Sequence, residues 1–147
     1  MPSNIHLHRV LTAPAERVYR AFTTAAALAK WLPPDGFTCT VHEIDARVGG
    51  RFKMTFTNFS GGNAHSFGGE YQVCEPGKQL RYSDVFDDPN LPGTMVTTIA
   101  FKDGACGCTL EVEQAGIPDM IPAEQCYLGW QQSLTLLARL VEPTIPG

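Results

Sequence analysis

Charge is scarce in this sequence. Aspartate, glutamate, lysine and arginine make up 18% of its 147 residues, and 11 basic against 15 acidic side chains leave a net charge of −4. That balance, with a pI near 5.5, argues against a general nucleic-acid binder or a protein of anionic membrane surfaces. No apolar run approaches the ~20 residues that a membrane span needs. The start, Met1-Pro2-Ser3-Asn4-Ile5-His6, has neither the basic stretch nor the apolar run of a secretory signal. Cysteines are few and odd in number: Cys39, Cys74, Cys106, Cys108 and Cys126. They read as reduced, mostly buried thiols, and the expected location is cytoplasmic. Repeats, linkers and low-complexity blocks are also missing, so residues 1–147 read as a single domain. A domain of this length buries roughly 70% of its unfolded surface without help from metals or disulfides. What the chain does have is apolar bulk, 44% hydrophobic with 8 Phe, 4 Tyr and 2 Trp, which excludes a disordered tail or a coiled coil.

The spacing of that bulk predicts an α+β fold. Residues 4–12 read as a first strand. Thr12-Ala13-Pro14 then starts a short helix, with Pro14 at its first position and Val18, Ala21 and Phe22 on one face. A second short helix is expected over 25–31, stopped by Pro33-Pro34. From 36 to 116 the apolar period becomes two. Phe52, Met54 and Phe56 share a face, as do Phe67, Tyr71 and Val73, then Leu80, Tyr82 and Phe86, then Met95, Thr97, Ile99 and Phe101, then Cys108, Leu110 and Val112. Gly61-Gly62, Pro76-Gly77, Pro92-Gly93 and Asp103-Gly104 punctuate these runs as hairpin turns. The pattern is an antiparallel meander with one apolar face.

Residues 122–142 return to a helical period. Cys126, Tyr127, Trp130, Leu134, Leu137, Leu140 and Val141 fall within about 140° of arc, with Gln131, Gln132, Thr135, Arg139 and Glu142 opposite. Such a helix spans about 31 Å and a ten-residue strand about 33 Å. One long helix therefore fits across the concave face of a curved sheet, with the two short helices closing one end.

Several segments carry a family likeness. The run from Thr12 to Phe22 with Lys30-Trp31-Leu32-Pro33, then Asp45-Ala46-Arg47-Val48-Gly49-Gly50, Phe67-Gly68-Gly69-Glu70-Tyr71, and Gly129-Trp130 resemble the SRPBCC (START-like, birch-pollen-allergen-like) superfamily. Within it they are most similar to the branch of homologues of the activator of heat shock protein 90 ATPase. The resemblance implies a helix-grip fold, a curved seven-stranded antiparallel sheet around a long C-terminal helix, often with a cavity between them. It also implies a small apolar ligand, with a cavity enzyme of cyclase or hydrolase type and a co-chaperone-like interaction module as alternatives. The eukaryotic co-chaperone carries an additional N-terminal domain with no counterpart in this sequence, so a chaperone partner is not expected. A homodimer through an edge strand or surface patch is compatible with everything read so far.

The candidate chemistry is sparse. His6 and His8 are two apart on a strand and share a face, but Ile5, Leu7 and Leu11 claim the core side, and His42 has no fixed relation to them. Cys106-Gly107-Cys108 has no second pair to complete a zinc site. Asp45 and Arg47 share a strand face as an expected surface pair, and Gly49-Gly50 reads as a tight turn. No metal or cofactor is expected, and no catalytic residue is assigned.

Asp84 is the odd residue. Alternation places it on the inward face of Leu80, Tyr82 and Phe86, and Gln114 follows Leu110 and Val112 in the same way. Either the two are polar anchors in an apolar pocket, or both strands twist outward at their ends and Asp84 begins the acidic loop Asp87-Asp88-Pro89-Asn90. Paired with Tyr71 or Tyr82, Asp84 is also the only acid–base candidate for an enzyme. The expected ligand lining is Phe37, Phe56, Phe67, Tyr71, Asp84, Phe86, Met95, Gln114, Met120, Tyr127 and Trp130, with Trp130 also readable as a structural wedge between helix and sheet.

Overall fold

A computed structural model describes residues 2–147. Strand β1 (Ser3–Leu11) is followed by helices α1 (Ala15–Thr23) and α2 (Ala25–Trp31). Strands β2 (Phe37–Ile44), β3 (Arg51–Asn58), β4 (Ala64–Glu75), β5 (Gln79–Phe86), β6 (Met95–Gly104) and β7 (Gly107–Ile117) then lead to helix α3 (Ala123–Val141). The seven strands form one antiparallel sheet in the order β1-β7-β6-β5-β4-β3-β2. The pair α1–α2 therefore carries the chain from one sheet edge to the other. The expected α+β helix-grip arrangement is the one observed. Among the described residues no helix is long and apolar enough to cross a membrane.

Helix ends are closed by long-range partners as well as local ones. Pro14 stands one position earlier than expected, as the extended residue capping α1, and its carbonyl accepts from the Arg17 and Val18 N–H groups. The free N–H of Ala15 donates to Asp103 Oδ1 at 2.8 Å, which ties α1 to the end of β6. At the other end of α1, side chains satisfy three carbonyls. Thr23 donates to Tyr19, Thr24 to Arg20 and the Trp31 indole to Ala21, at 3.2, 2.7 and 2.9 Å.

Inner faces follow the predicted alternation in β5, β6 and β7, where Leu80, Met95, Thr97, Ile99, Phe101, Cys108, Leu110 and Val112 are buried. In β4 the alternation breaks. The pairing with β5 slips between Tyr71 and Val73, so Cys74 packs against the core in place of the expected Val73. Only one thiol, Cys108, is fully buried; Cys39, Cys74 and Cys126 are half-buried and Cys106 is exposed, fewer buried thiols than expected. All five are free.

Helix α3 buries Trp130, Ser133, Leu134, Leu137, Ala138 and Val141. Arg9 donates to Thr135, Arg17 to the Val141 carbonyl and Ser133 to the Leu32 carbonyl, fixing the C-terminal two thirds of the helix against β1, α1 and α2. The first two turns are different. From Ala123 to Gly129 every residue is exposed or half-buried, so the helix start packs less tightly, with Ala123 and Cys126 alone reaching the core. That explains Tyr127, which shares the face of Leu134 by angle and is nonetheless 39% exposed.

Gly69 allows the neighbouring strand to approach. A Cβ there would lie 1.9 Å from the Ser83 carbonyl oxygen, so no side chain fits without moving β5.

Candidate functional site

Because the start of α3 packs less tightly, space remains between it and the sheet. The result is a cleft of about 490 Å³, within the range of small-molecule pockets. Its mouth lies where β3 and β5 end and where β4, β6 and α3 begin. Pro34 and Phe37, Phe56 and His65, Leu91, and Met120 with Ile121 come together there. Deeper in, Phe52, Met54, Phe67, Tyr71, Tyr82 and Met95 form the sheet wall, with Phe22 and Leu28 of the short helices and Leu32 just past α2 closing the far end. The aromatic rings pack mostly edge to face, as in Phe52 on Tyr82 at 5.3 Å and Phe56 on Phe67 at 4.9 Å.

Ten of the eleven sequence-predicted lining residues border this cleft: Phe37, Phe56, Phe67, Tyr71, Asp84, Phe86, Met95, Gln114, Met120 and Trp130. Tyr127 does not: it follows Cys126, which faces the cleft, by 100° of helix rotation and is 39% exposed. Phe52 and Met54, which alternation places on the face of Phe56, border the cleft without being among the eleven. So do Phe22, Leu28 and Leu32, whose contribution depends on how α1 and α2 cross the end of the sheet.

Polar groups on the wall fall into a chain. The Trp130 indole donates to Gln114 Oε1 at 3.3 Å, and Gln114 Nε2 donates to Thr97 Oγ1 at 3.0 Å. Tyr82 is the cross-strand partner of Thr97 and continues the row onto β5. Trp130 is thus a wedge between helix and sheet and part of the cleft wall at once. Gln114 is 8% and Asp84 6% exposed, so neither strand twists these residues outward. Asp84 stands outside the chain, its Oδ1 buried without a hydrogen-bond partner. Burial lifts its carboxyl from the usual carboxylate range to about 8, an effect only partly offset by the Val85 N–H and by Lys53. Lys53 is itself engaged with Asp87 at the rim. Burial also pushes the Tyr71 and Tyr82 hydroxyls up, well above the ordinary phenol range. Below about pH 8 these three groups therefore present protons, and none of them is a ready base.

The remaining candidates lie elsewhere. His6 and His8 are exposed on the outer face of β1, opposite Glu113 and Glu111 of β7. His42 is on the other sheet edge, bonded to Thr55 at 2.7 Å. No group of three or more His, Cys, Asp or Glu side chains poised for a metal occurs among the described residues. Cys106 sits in the β6–β7 turn, and Gly107 and Cys108 open β7. Arg47 pairs with Asp45 at 2.8 Å on the surface. Behind them Gly49, at φ +86, donates to the Tyr71 carbonyl, and a Cβ on Gly50 would lie 1.9 Å from the Asp45 carbonyl oxygen. Gly50→Ala is expected to destabilise the chain by roughly 2 kcal/mol, read as a lowered midpoint of thermal unfolding. An unchanged midpoint would mean that the loop yields freely.

The model of the family described as Activator of Hsp90 ATPase homolog 1-like protein matches residues 12–142. No curated protein sequence matches the chain. Among solved structures, a protein of Chromobacterium violaceum is 60% identical, with a TM-score of 0.96 over 98% of this chain and 100% of that one. A Rhodobacter sphaeroides protein at 20% identity has a TM-score of 0.83 over 94% of this chain and 91% of its own. An AHSA1 protein of Silicibacter pomeroyi at 17% identity has a TM-score of 0.81 over 94% and 96%. The last two show likeness of fold alone. The family model and the 60% identical structure cover nearly the whole of the chain, which belongs to the Activator of Hsp90 ATPase homolog 1-like family.

Proposed function

We propose that this protein binds a small, largely apolar molecule in the cleft between the sheet and the start of α3. The observation that carries the reading is the cleft itself. It has about 490 Å³ of space walled by Phe, Met and Tyr side chains and holds a single buried polar atom with no partner among the described residues. A wall of this kind, mostly apolar with a few placed polar groups, is how small-molecule sites are built. The family's name points to chaperone ATPase activation, but the described surface that best fits a partner of defined chemistry is this concave one. Catalysis has less support, since Asp84, Tyr71 and Tyr82 supply donors and no base near neutral pH.

A neutral fluorescent probe such as N-phenyl-1-naphthylamine is expected to bind one per chain with micromolar affinity. Native mass spectrometry should show the same stoichiometry. Met54→Trp, which adds bulk to the deep wall, is expected to weaken probe uptake at least tenfold while the chain remains folded. Probe uptake that is absent in the unsubstituted protein, or indifferent to this filling, would overturn the reading.

A further inference from the structure

Buried polar side chains on the concave wall are of two kinds. Trp130, Gln114 and Thr97 satisfy one another across α3, β7 and β6. Asp84, two residues beyond Tyr82 on the same face, is as buried as they are, borders the cleft, and keeps Oδ1 without a partner. Native proteins avoid an orphaned buried polar atom, and one that faces a ligand-sized space has room for a partner that arrives from outside.

We propose that the cleft selects molecules whose apolar body carries a neutral hydrogen-bond acceptor, such as a ketone, ester or ether oxygen, and that the Asp84 carboxyl donates to that oxygen. This rests on the ligand-binding reading above and adds the chemical class of the ligand. The surroundings decide between classes. Around Asp84 in the cleft are Tyr71 and, at the mouth, His65 from β4, and Tyr82 from its own strand, while Lys53 of β3 acts on it from outside the cleft wall and is already engaged with Asp87. Met95 of β6 and Gln114 of β7 are neutral, and α3 contributes only the Cys126 thiol among titratable groups. An anionic ligand would be set beside a carboxyl and two phenols, with the nearby Lys53 already held by Asp87. An amine would require the carboxyl to ionise where burial opposes the charge. A neutral acceptor asks for neither, and uses the proton that burial keeps on the carboxyl to about pH 8.

The test is competition against the neutral probe by three molecules of one length: nonane, 2-nonanone and nonylamine. The readout is the ratio of ketone to alkane affinity, which cancels the shared apolar contribution. In the unsubstituted protein at pH 6.5 this ratio is expected to exceed that of Asp84→Leu about tenfold. Asp84→Asn, whose amide N–H also donates, is expected to retain it. Raising the pH to 9.5 should cost the unsubstituted protein about tenfold in the ratio and leave Asp84→Asn flat. Any dependence arising from His65 or Lys53 would persist in both variants and so be recognised. An equal ratio in the unsubstituted protein and Asp84→Leu, with all three molecules bound, overturns the proposal alone. A preference for nonylamine at pH 6.5 that disappears in Asp84→Asn overturns it in favour of a cation site. Failure of all three molecules and of the probe to bind overturns the ligand-binding reading and the proposal together.

Discussion

Between pH 4 and pH 8 the folded chain is expected to lose on the order of 4 kcal/mol of stability through Asp84, and Asp84→Asn to lose none of that share. The carboxyl has its ordinary value of 3.8 when the chain is unfolded and about 8 when it is folded. Across that window the folded state holds a proton that the unfolded state has released. Stability from this group is therefore fully present below pH 3.8 and declines as pH rises, by about 1.4 kcal/mol per pH unit at most. It is gone once the pH passes about 8, where the carboxyl is ionised in both states. Urea unfolding of the two proteins at pH 5, 6, 7, 8 and 9 checks it. The difference between the proteins isolates Asp84 from every other carboxylate, and Asp84→Asn should gain steadily on the unsubstituted chain as the pH rises. Parallel stability curves would show that water or a shift of the wall solvates the charge, and the orphaned Oδ1 would no longer be a constraint on the ligand.

Much of this site can be read from alternation, and its failures have specific causes. A period of two fixes which face a side chain takes, so Asp84 and Gln114 fall on the face of Leu80 and Leu110. Whether the strand end stays in the sheet is decided by pairing. Asp84 lies opposite Met95 and Gln114 opposite Thr97, partners no local pattern names. A bulge defeats the same rule. The slip after Tyr71 exchanges Val73 for Cys74 on the core side, and nothing in Tyr71-Gln72-Val73 announces it.

Helical period has a different weakness, since it assigns angle but not height above the sheet. Tyr127 has the angle of a core residue and lies in turns that pack less tightly, while Ser133 is drawn inward by the Leu32 carbonyl at 2.6 Å. The cleft exists because of that same departure. The resemblance implied the seven antiparallel strands and the long helix that they grip, and the order of the strands comes from their pairing. The volume beneath the first turns of α3 is set by packing among α1, α2 and α3, and a one-dimensional pattern does not carry it.

That packing depends on Trp31, and its removal should be the most damaging single change in the short helices. The side chain is fully buried. Its ring meets Phe22 edge to face at 4.7 Å, and its indole N–H takes the Ala21 carbonyl, one of those left open where α1 ends. Trp31→Ala combines a large cavity with an unsatisfied helix end, and is expected to cost about 4 kcal/mol, which for a chain of this length lowers the thermal midpoint by roughly 10 °C. Trp31→Phe keeps most of the ring and loses the donor, so it should cost about 1–2 kcal/mol. The consequence reaches the cleft because Phe22, Leu28 and Leu32 form its far end. Trp31→Ala is therefore expected to weaken probe uptake at temperatures where the chain is still folded, and Trp31→Phe to leave it nearly unchanged. Equal losses of stability in the two variants would assign the effect to the hydrogen bond. Loss of stability in Trp31→Ala without any loss of probe uptake would show that the cleft is shaped by α3 and the sheet alone.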